Sequence, residues 1–451
     1  MTAWLHIVGV GEAGLAELPQ SVRPLLLYAD TILGPPHLLE QVEPADRPPA
    51  AADLFDPEQV SRRSFEAVAR ALSGEQPAFT PHAPPDDTRK LIEWEGPLSA
   101  MIEQVLALRG TPTVILAPGD PMWFGIGATL SRHLVAAEFA VYPHPSAFQL
   151  AAARMRWPLQ SVTLLSLQGR PVEALHPHIL PANRIMALAS EHSVVDLALE
   201  ILIDRGYSRS IVTTLEQLGG RDELVSTATA EDFHASDLGD AYVLAIDCVP
   251  DLDARLLAAV PGLPDDVFMS DSQLTTREVR SATLGKLAPF PGAILWDVGA
   301  GSGAIAIEWM RAAHDARAAA FESDSEQLQL IAVNASALGV PDLEIVGGVA
   351  PASFGKRTPP DAIFMGSDVG NDDLFDACWH ALKPGGRLVA NATTLDGEHA
   401  LYSRHLQLGG ELTRIEVSAL ERIGGHRAFR PSMAVTQWVV VKAIHGAVVA
   451  P

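Results

Sequence analysis

Cysteine is almost missing from this 451-residue chain: Cys248 and Cys378 are its only two. That scarcity excludes a disulfide framework and any C-x-x-C metal motif. Long apolar runs are also missing. None reaches the roughly 18 residues a membrane-spanning helix needs, and the tail Trp438-Val439-Val440-Val441 is soon interrupted by Lys442 and His445. The N-terminus has no basic start followed by an apolar core and a cleavage site, so Trp4 to Val8 reads as a strand and a cytoplasmic protein is expected. Positive charge is short, with 32 Lys and Arg against 55 Asp and Glu and a net charge of −23. A nucleic-acid coat is disfavoured, because phosphate binding needs a basic face. No coiled-coil heptad persists and no short internal repeat is evident.

What remains is long, and apolar enough, with a mean hydropathy of +0.15, for two or three α/β cores. From Leu5 to about Pro250, short apolar strands alternate with helices. Strands are expected at Leu5–Val10, Thr31–Leu33, Thr113–Ala117, Ser161–Ser166, Arg184–Ala189, Ser210–Thr214 and Tyr242–Ile246, and helices at Leu98–Arg109, Ala147–Met155 and Ser193–Asp204. Residues Glu43 to about Thr88 are richer in proline, alanine and charge and read as exposed, partly ordered structure, with a helix expected at Val60–Leu72. Pro250, Pro261 and Pro264 mark a linker over 251–264. The second block, 265–451, opens with a helix near Thr276–Leu287 and continues with strands at Leu343–Val346, Ala362–Met365 and Arg387–Asn391. Its end differs: Thr413–Leu420 and Ala434–Lys442 alternate in polarity around Gly424-Gly425, which predicts an antiparallel hairpin on the edge of a parallel sheet.

Chemistry concentrates in two glycine-lined stretches. In the second block, strand Ala293–Trp296 runs into Asp297-Val298-Gly299-Ala300-Gly301-Ser302-Gly303 and a helix follows from Ala304. Gly299, Gly301 and Gly303 would let backbone approach a ligand closely, and Glu322, about 20 residues on at the end of the next strand, could grip a ribose diol. The bland alternative is a tight turn without ligand. In the first block, Gly9-Val10-Gly11-Glu12-Ala13-Gly14 imitates a dinucleotide fingerprint, but Asp30 precedes its strand, and Pro19 and Pro24 break the helix that should open there. A more telling stretch is Ala117-Pro118-Gly119-Asp120-Pro121-Met122-Trp123-Phe124-Gly125, followed downstream by Pro145-Ser146-Ala147. His176 and His178, around Pro177, read as solvated loop residues, and Trp123 and Trp296 as core.

The Asp297–Gly303 run with Glu322 and the late turn Lys383-Pro384-Gly385-Gly386 resembles class I S-adenosylmethionine-dependent methyltransferases, a Rossmann-like fold. The set Gly9/Gly11, Gly119-Asp120-Pro121 and Ser146-Ala147 resembles the tetrapyrrole methylases, a two-lobed α/β family. Ser166–Arg170, Thr214–Glu223 and Leu274–Arg280 look like later motifs of the corrin-pathway branch. The whole chain outside 43–90 thus resembles the fused precorrin-6B C5,15-methyltransferase (decarboxylating) family, whose shorter crossing after the second strand implies that 43–90 is an insertion. That resemblance implies a two-lobed tetrapyrrole methylase domain at 1–250 and a class I methyltransferase and decarboxylase domain at 265–451. It implies one S-adenosylmethionine per domain, held by Gly9, Gly11, Gly119, Asp120, Pro121, Ser146 and Ala147 in the first. Thr275, Asp297, Gly299, Gly301, Gly303, Glu322, Gly348, Val349 and Ala350 would hold it in the second. A tetrapyrrole with many carboxylates would be the substrate, with Arg154, Arg170, Arg277, Arg280, Arg422 and Arg427 as its candidate partners. No metal, membrane or nucleic acid is expected; a homo-oligomer is, and no residue is assigned as a general base. Val349 stands where an acidic residue is common in the family, and Thr276 where a lysine is. Two alternatives stay open: methylation of another substrate, or a donor-binding sensor with one silent block.

Overall fold

A computed structural model describes residues 3–42, 89–94, 97–234, 238, 239, 241–270 and 274–444. The expected insertion lies almost wholly outside these residues, and so does the expected helix Val60–Leu72. Among the described residues, nineteen strands form three sheets and one ribbon. In the first sheet, β1 (Leu5–Val10), β2 (Thr31–Gly34), β3 (Lys90–Glu93), β4 (Thr113–Pro118) and β5 (Phe139–Tyr142) lie parallel in the order β3-β2-β4-β1-β5. Every residue of β1 is buried, as a central parallel strand covered on both faces requires. The second sheet is mixed: β6 (Thr163–Ser166), β7 (Arg184–Ala189), β8 (Ile211–Glu216), β9 (Leu224–Thr229) and β10 (Tyr242–Asp247) follow the order β6-β7-β10-β8-β9, with only β6 and β7 parallel.

The third sheet contains β11 (Ile294–Val298), β12 (Arg317–Glu322), β13 (Glu344–Gly347), β14 (Ala362–Met365), β15 (Arg387–Ala392), β16 (Glu411–Ile415) and β19 (Val435–Val441), ordered β13-β12-β11-β14-β15-β19-β16. The first five are parallel, and β19 enters antiparallel between β15 and β16. Side chains alternate between its two cores. Leu295, Ala320, Phe364 and Val389 fill one, while Trp296, Phe321, Ile363 and Leu388 fill the other. Trp296 is a core residue as expected, packed edge-on against Phe321. Both cysteines are buried thiols.

The hairpin expected at the end is two structures. β16 and β19 form the antiparallel edge, whereas Gly424-Gly425 joins a separate ribbon, β17 (Ser418–Ile423) with β18 (His426–Pro431). By compactness the chain divides into one unit of Met1–Gln168, Arg184–Val195 and Ile211–Asp247, and another of Gly169–Asn183, Asp196–Ser210 and Cys248–Pro451. The stretch read as a linker is built into the second unit, because Leu257 and Leu263 sit in the third sheet's core. Among the described residues no helix is long and apolar enough to cross a membrane.

Candidate active sites

Each unit carries one crevice at the carboxyl ends of parallel strands. The first lies where β1 and β4 end side by side, pinned by the Gly119 N–H donating to the Val10 carbonyl at 2.8 Å. Gly11, Gly119, Asp120, Ser146 and Ala147 line a cavity of about 240 Å³. Gly9 and Pro121 lie behind its wall. A Cβ on Gly9 would stand 2.4 Å from the Gly119 carbonyl and 2.7 Å from the His144 nitrogen, so this glycine lets two backbones touch. Pro121 is buried, and its carbonyl accepts from Ala128.

Ser146 caps the helix Ala147–Met155: its hydroxyl accepts from the Gln149 N–H, and the Gln149 side chain accepts from the Ser146 N–H at 2.6 Å. Ser146 and Ala147 thus set the start of this helix in the cavity wall, the helix end that favours negative charge. The far wall comes from the second sheet, through Gln168, Leu215, Gln217, Tyr242 and Val243. Gln168 and Gln217 sit inside two of the motifs read from sequence, although neither was named there as a site residue. Trp123 corrects its sequence reading: it lines this cavity and is 49% exposed, on a turn rather than in a core.

The second crevice occupies the switch point of the third sheet, where the strand order reverses between β11 and β14. Thr275, Gly299, Gly301, Glu322, Phe364 and Ser367 are among its lining residues, around a volume of about 340 Å³. The three glycines serve different ends. A Cβ on Gly299 would collide with the Ser367 hydroxyl at 2.0 Å, and one on Gly303 would press on Ile331 at 3.0 Å. Gly301, with a φ of +55°, has nothing within 4 Å of its would-be Cβ. It is the glycine that keeps space open.

Asp297 is 1% exposed and does not face the crevice; its Oδ2 accepts from the Ala306 N–H at 3.0 Å and holds the helix Ala304–Ala312 in place. Burial, helped by the nearby Glu322 charge, pushes its pKa up to about 7 against the pull of that hydrogen bond. Glu322 accepts from Gly301 N–H at 2.9 Å through one oxygen, and from Ser323 and Asp324 N–H through the other. It therefore shapes the glycine turn while facing the crevice. Gly348, Val349 and Ala350 do not line this cavity. The Gly348 N–H donates to the Glu322 carbonyl at 2.9 Å, which seats them beside that residue, and Val349 is 71% exposed.

None of the six candidate arginines lines either cavity. Arg280 is a correction to its expected role. It is fully buried, with Nε on Glu308 at 2.8 Å, Nη1 on Asp265 at 2.6 Å and on the Thr275 carbonyl, and Nη2 on the Leu263 carbonyl. Its donors anchor Thr275 rather than meet a ligand. Arg154 forms a bidentate pair with Glu223 at 2.5 and 2.9 Å, which also accepts from Gly219 and closes that loop. Arg170 and Arg277 are exposed, and Arg422 and Arg427 face each other across the ribbon. His176 and His178 are half-buried rather than solvated; burial together with Arg311, and for His176 also Arg205, lowers their basicity.

Comparison with known proteins fits this two-crevice layout. Residues 4–234 match the family described as Tetrapyrrole (Corrin/Porphyrin) Methylases, and residues 266–442 match the Precorrin methyltransferase domain. A Sinorhizobium sp protein named Precorrin-6Y C(5,15)-methyltransferase [decarboxylating] is 37% identical over 438 residues, covering 97% of this chain and 96% of its own. A protein of that name from Mycobacterium tuberculosis (strain CDC 1551 / Oshkosh) is 38% identical over 362 residues, covering 79% and 90%. The Salmonella typhi Cobalt-precorrin-6B C(15)-methyltransferase (decarboxylating) is 27% identical over 176 residues, 38% of this chain and 91% of its own.

Proposed function

This chain belongs to the precorrin-6Y C(5,15)-methyltransferase [decarboxylating] family, and on that premise we propose that it methylates a precorrin at C5 and at C15 and removes the C12 acetate carboxylate. The first transfer belongs to residues 1–250, and the second, with the decarboxylation, to residues 265–451. The observation that carries this reading is the presence of two separate glycine-lined crevices in one chain, one for each match. S-adenosylmethionine, one per crevice, supplies an electrophilic methyl group on sulfur. The second crevice suits such a donor: Gly301 leaves open space at the switch point, and Glu322 stands at the end of β12 where a ribose diol would be gripped.

The meso carbons of such a substrate are already enamine-like nucleophiles, so alignment matters more than a strong base. Holding methyl and carbon in line at about 3–3.5 Å can lower the barrier by roughly 7–11 kcal/mol. In the first crevice the Val10–Gly119 pin and the capped helix Ala147–Met155 fix the walls; in the second, Glu322 and Asp297 fix the glycine turn and the helix behind it. For the decarboxylation, withdrawing the acetate from water while the conjugated ring accepts the electron pair lowers the barrier without a dedicated base. Arg277, Arg422 and Arg427, all exposed, are the arginines we assign to the substrate's carboxylates. The buried thiols of Cys248 and Cys378, not joined in a disulfide, suit a reducing compartment, the cytoplasm.

Mass spectrometry of precorrin incubated with enzyme and donor tests the reaction: a gain of two methyl groups with loss of one carbon dioxide is expected. Gly301→Asp fills the open space and is expected to abolish C15 methylation and decarboxylation while C5 methylation continues. Normal C15 activity in that variant would refute the placement of the second donor.

A further inference from the structure

Met122, Trp123 and Phe124 stand in succession at 43, 49 and 44% exposure on the turn after Pro121. Single exposed apolar side chains are ordinary, but three on one turn at the rim of a cavity ask for an occupant. The turn is firmly built. Asp120 accepts from the Met122 N–H through Oδ1 at 2.9 Å and from the Trp123 N–H through its carbonyl at 3.2 Å. A Cβ on Gly125 or Gly127 would come within 2.6 or 2.8 Å of the Pro121 carbonyl, so the segment is packed down to backbone. Phe124 is held at a φ of +54°, a left-handed conformation that a bulky residue seldom adopts. Its ring lies 5.9 Å from Phe148, and Trp123 meets it edge-on at 6.2 Å. The indole is thus presented outward by a fixed scaffold.

Resting on the function proposed above, we propose that Trp123 is the platform for the face of the tetrapyrrole ring at the first crevice, a specificity-determining residue for transfer to C5. The occupant follows from position and chemistry. The inner wall is closed by buried residues such as Leu215, Leu218 and Val243. The acceptor must approach from the open side, where Trp123 stands. A conjugated ring offers an apolar face with its carboxylates at the edge, and an offset-stacked indole meets such a face.

The test uses the full-length enzyme with Trp123→Ala and Trp123→Phe. Loss of the stacking ring is expected to raise KM for the tetrapyrrole in C5 methylation about tenfold, with kcat and donor affinity by calorimetry changed less than about twofold. Trp123→Phe recovers most of the loss, and C15 methylation and carbon dioxide release stay at wild-type rates. An unchanged KM in Trp123→Ala overturns the platform, as does a fall in donor affinity as large as the change in KM. If the wild-type enzyme transfers no methyl group to C5, the proposed function fails and the platform with it; if it does and Trp123→Ala matches it, only the platform fails.

Discussion

Asp297 is a carboxyl group taken wholly out of water, and only one of its oxygens has found a hydrogen-bond donor. With a pKa of about 7 in the folded chain against an ordinary 3.8, the folded state binds the extra proton between those values. Its contribution to stability is therefore complete below about 3.8 and is lost as pH rises through about 7. Asp297→Asn keeps an acceptor for the Ala306 N–H and cannot ionise. Relative to wild type, this variant should gain roughly 1 kcal/mol in urea unfolding between about pH 6 and about pH 8, and a gain that does not change with pH would contradict the buried charge. At this scale the sequence disclosed the site's backbone well. Asp297, the three glycines and Glu322 follow one another at a spacing that only a strand, a tight turn and a neighbouring strand can satisfy. It disclosed side-chain fates poorly. Arg280 and Arg277 sit three positions apart in one sequence motif, yet one is fully buried and the other exposed, because the pattern cannot say which helix face meets Glu308. Trp123 read as core for a similar reason: its apolar neighbours describe a buried segment until the turn is seen to point them outward.

The helix Arg277–Leu287 links the core of the second unit to its crevice through a single side chain. Arg280 bridges Glu308, on the helix that follows the glycine turn, to the Thr275 carbonyl at the crevice wall. Glu308 is 2% exposed at its side chain and also accepts from the Gly262 and Leu263 N–H groups. Removing the arginine strands that carboxylate without its counter-charge. Arg280→Met should destabilise the chain by about 3–5 kcal/mol and weaken donor binding at the second crevice, measured by denaturation and calorimetry. Adding Glu308→Gln removes the stranded charge and should restore part of the stability; a double variant no better than the single one would show that the charge was not the cause. Elements that pack a continuous apolar run were legible from sequence, such as β1, β7 and β14. β3, β5 and β9 were not. β5 is half-buried along its length and β9 partly exposed, so neither carries the unbroken apolar signal of a central strand. β3 is four residues with three exposed. The ribbon was merged with the edge strands because alternation in polarity marks a strand without naming its partner.

Across the whole molecule, stability should fall on the acid side through histidines rather than through carboxylates alone. His6, 1% exposed in β1, is lowered to about 4 by burial against a weaker opposing hydrogen bond. His176 is lowered to about 4, and His178 is lowered as well, by burial and by neighbouring cationic groups. For His6 and His176 the unfolded chain takes up a proton near the ordinary 6.5 while the folded chain refuses it until about 4, and His178 shifts in the same direction. The folded state is therefore unpenalised above about 6.5 and loses stability as pH falls from there toward about 4, the opposite slope to that of Asp297. For His6 alone the full loss is roughly 3 kcal/mol. Three groups acting in one direction outweigh a single carboxyl acting in the other, so the urea midpoint should drop between about pH 7 and about pH 5. His6→Gln cannot take up the proton, and its midpoint should drop less over the same interval even if the variant is weaker at neutral pH. An equal drop in both proteins would mean that the imidazole in the first sheet already carries its proton when the chain is folded.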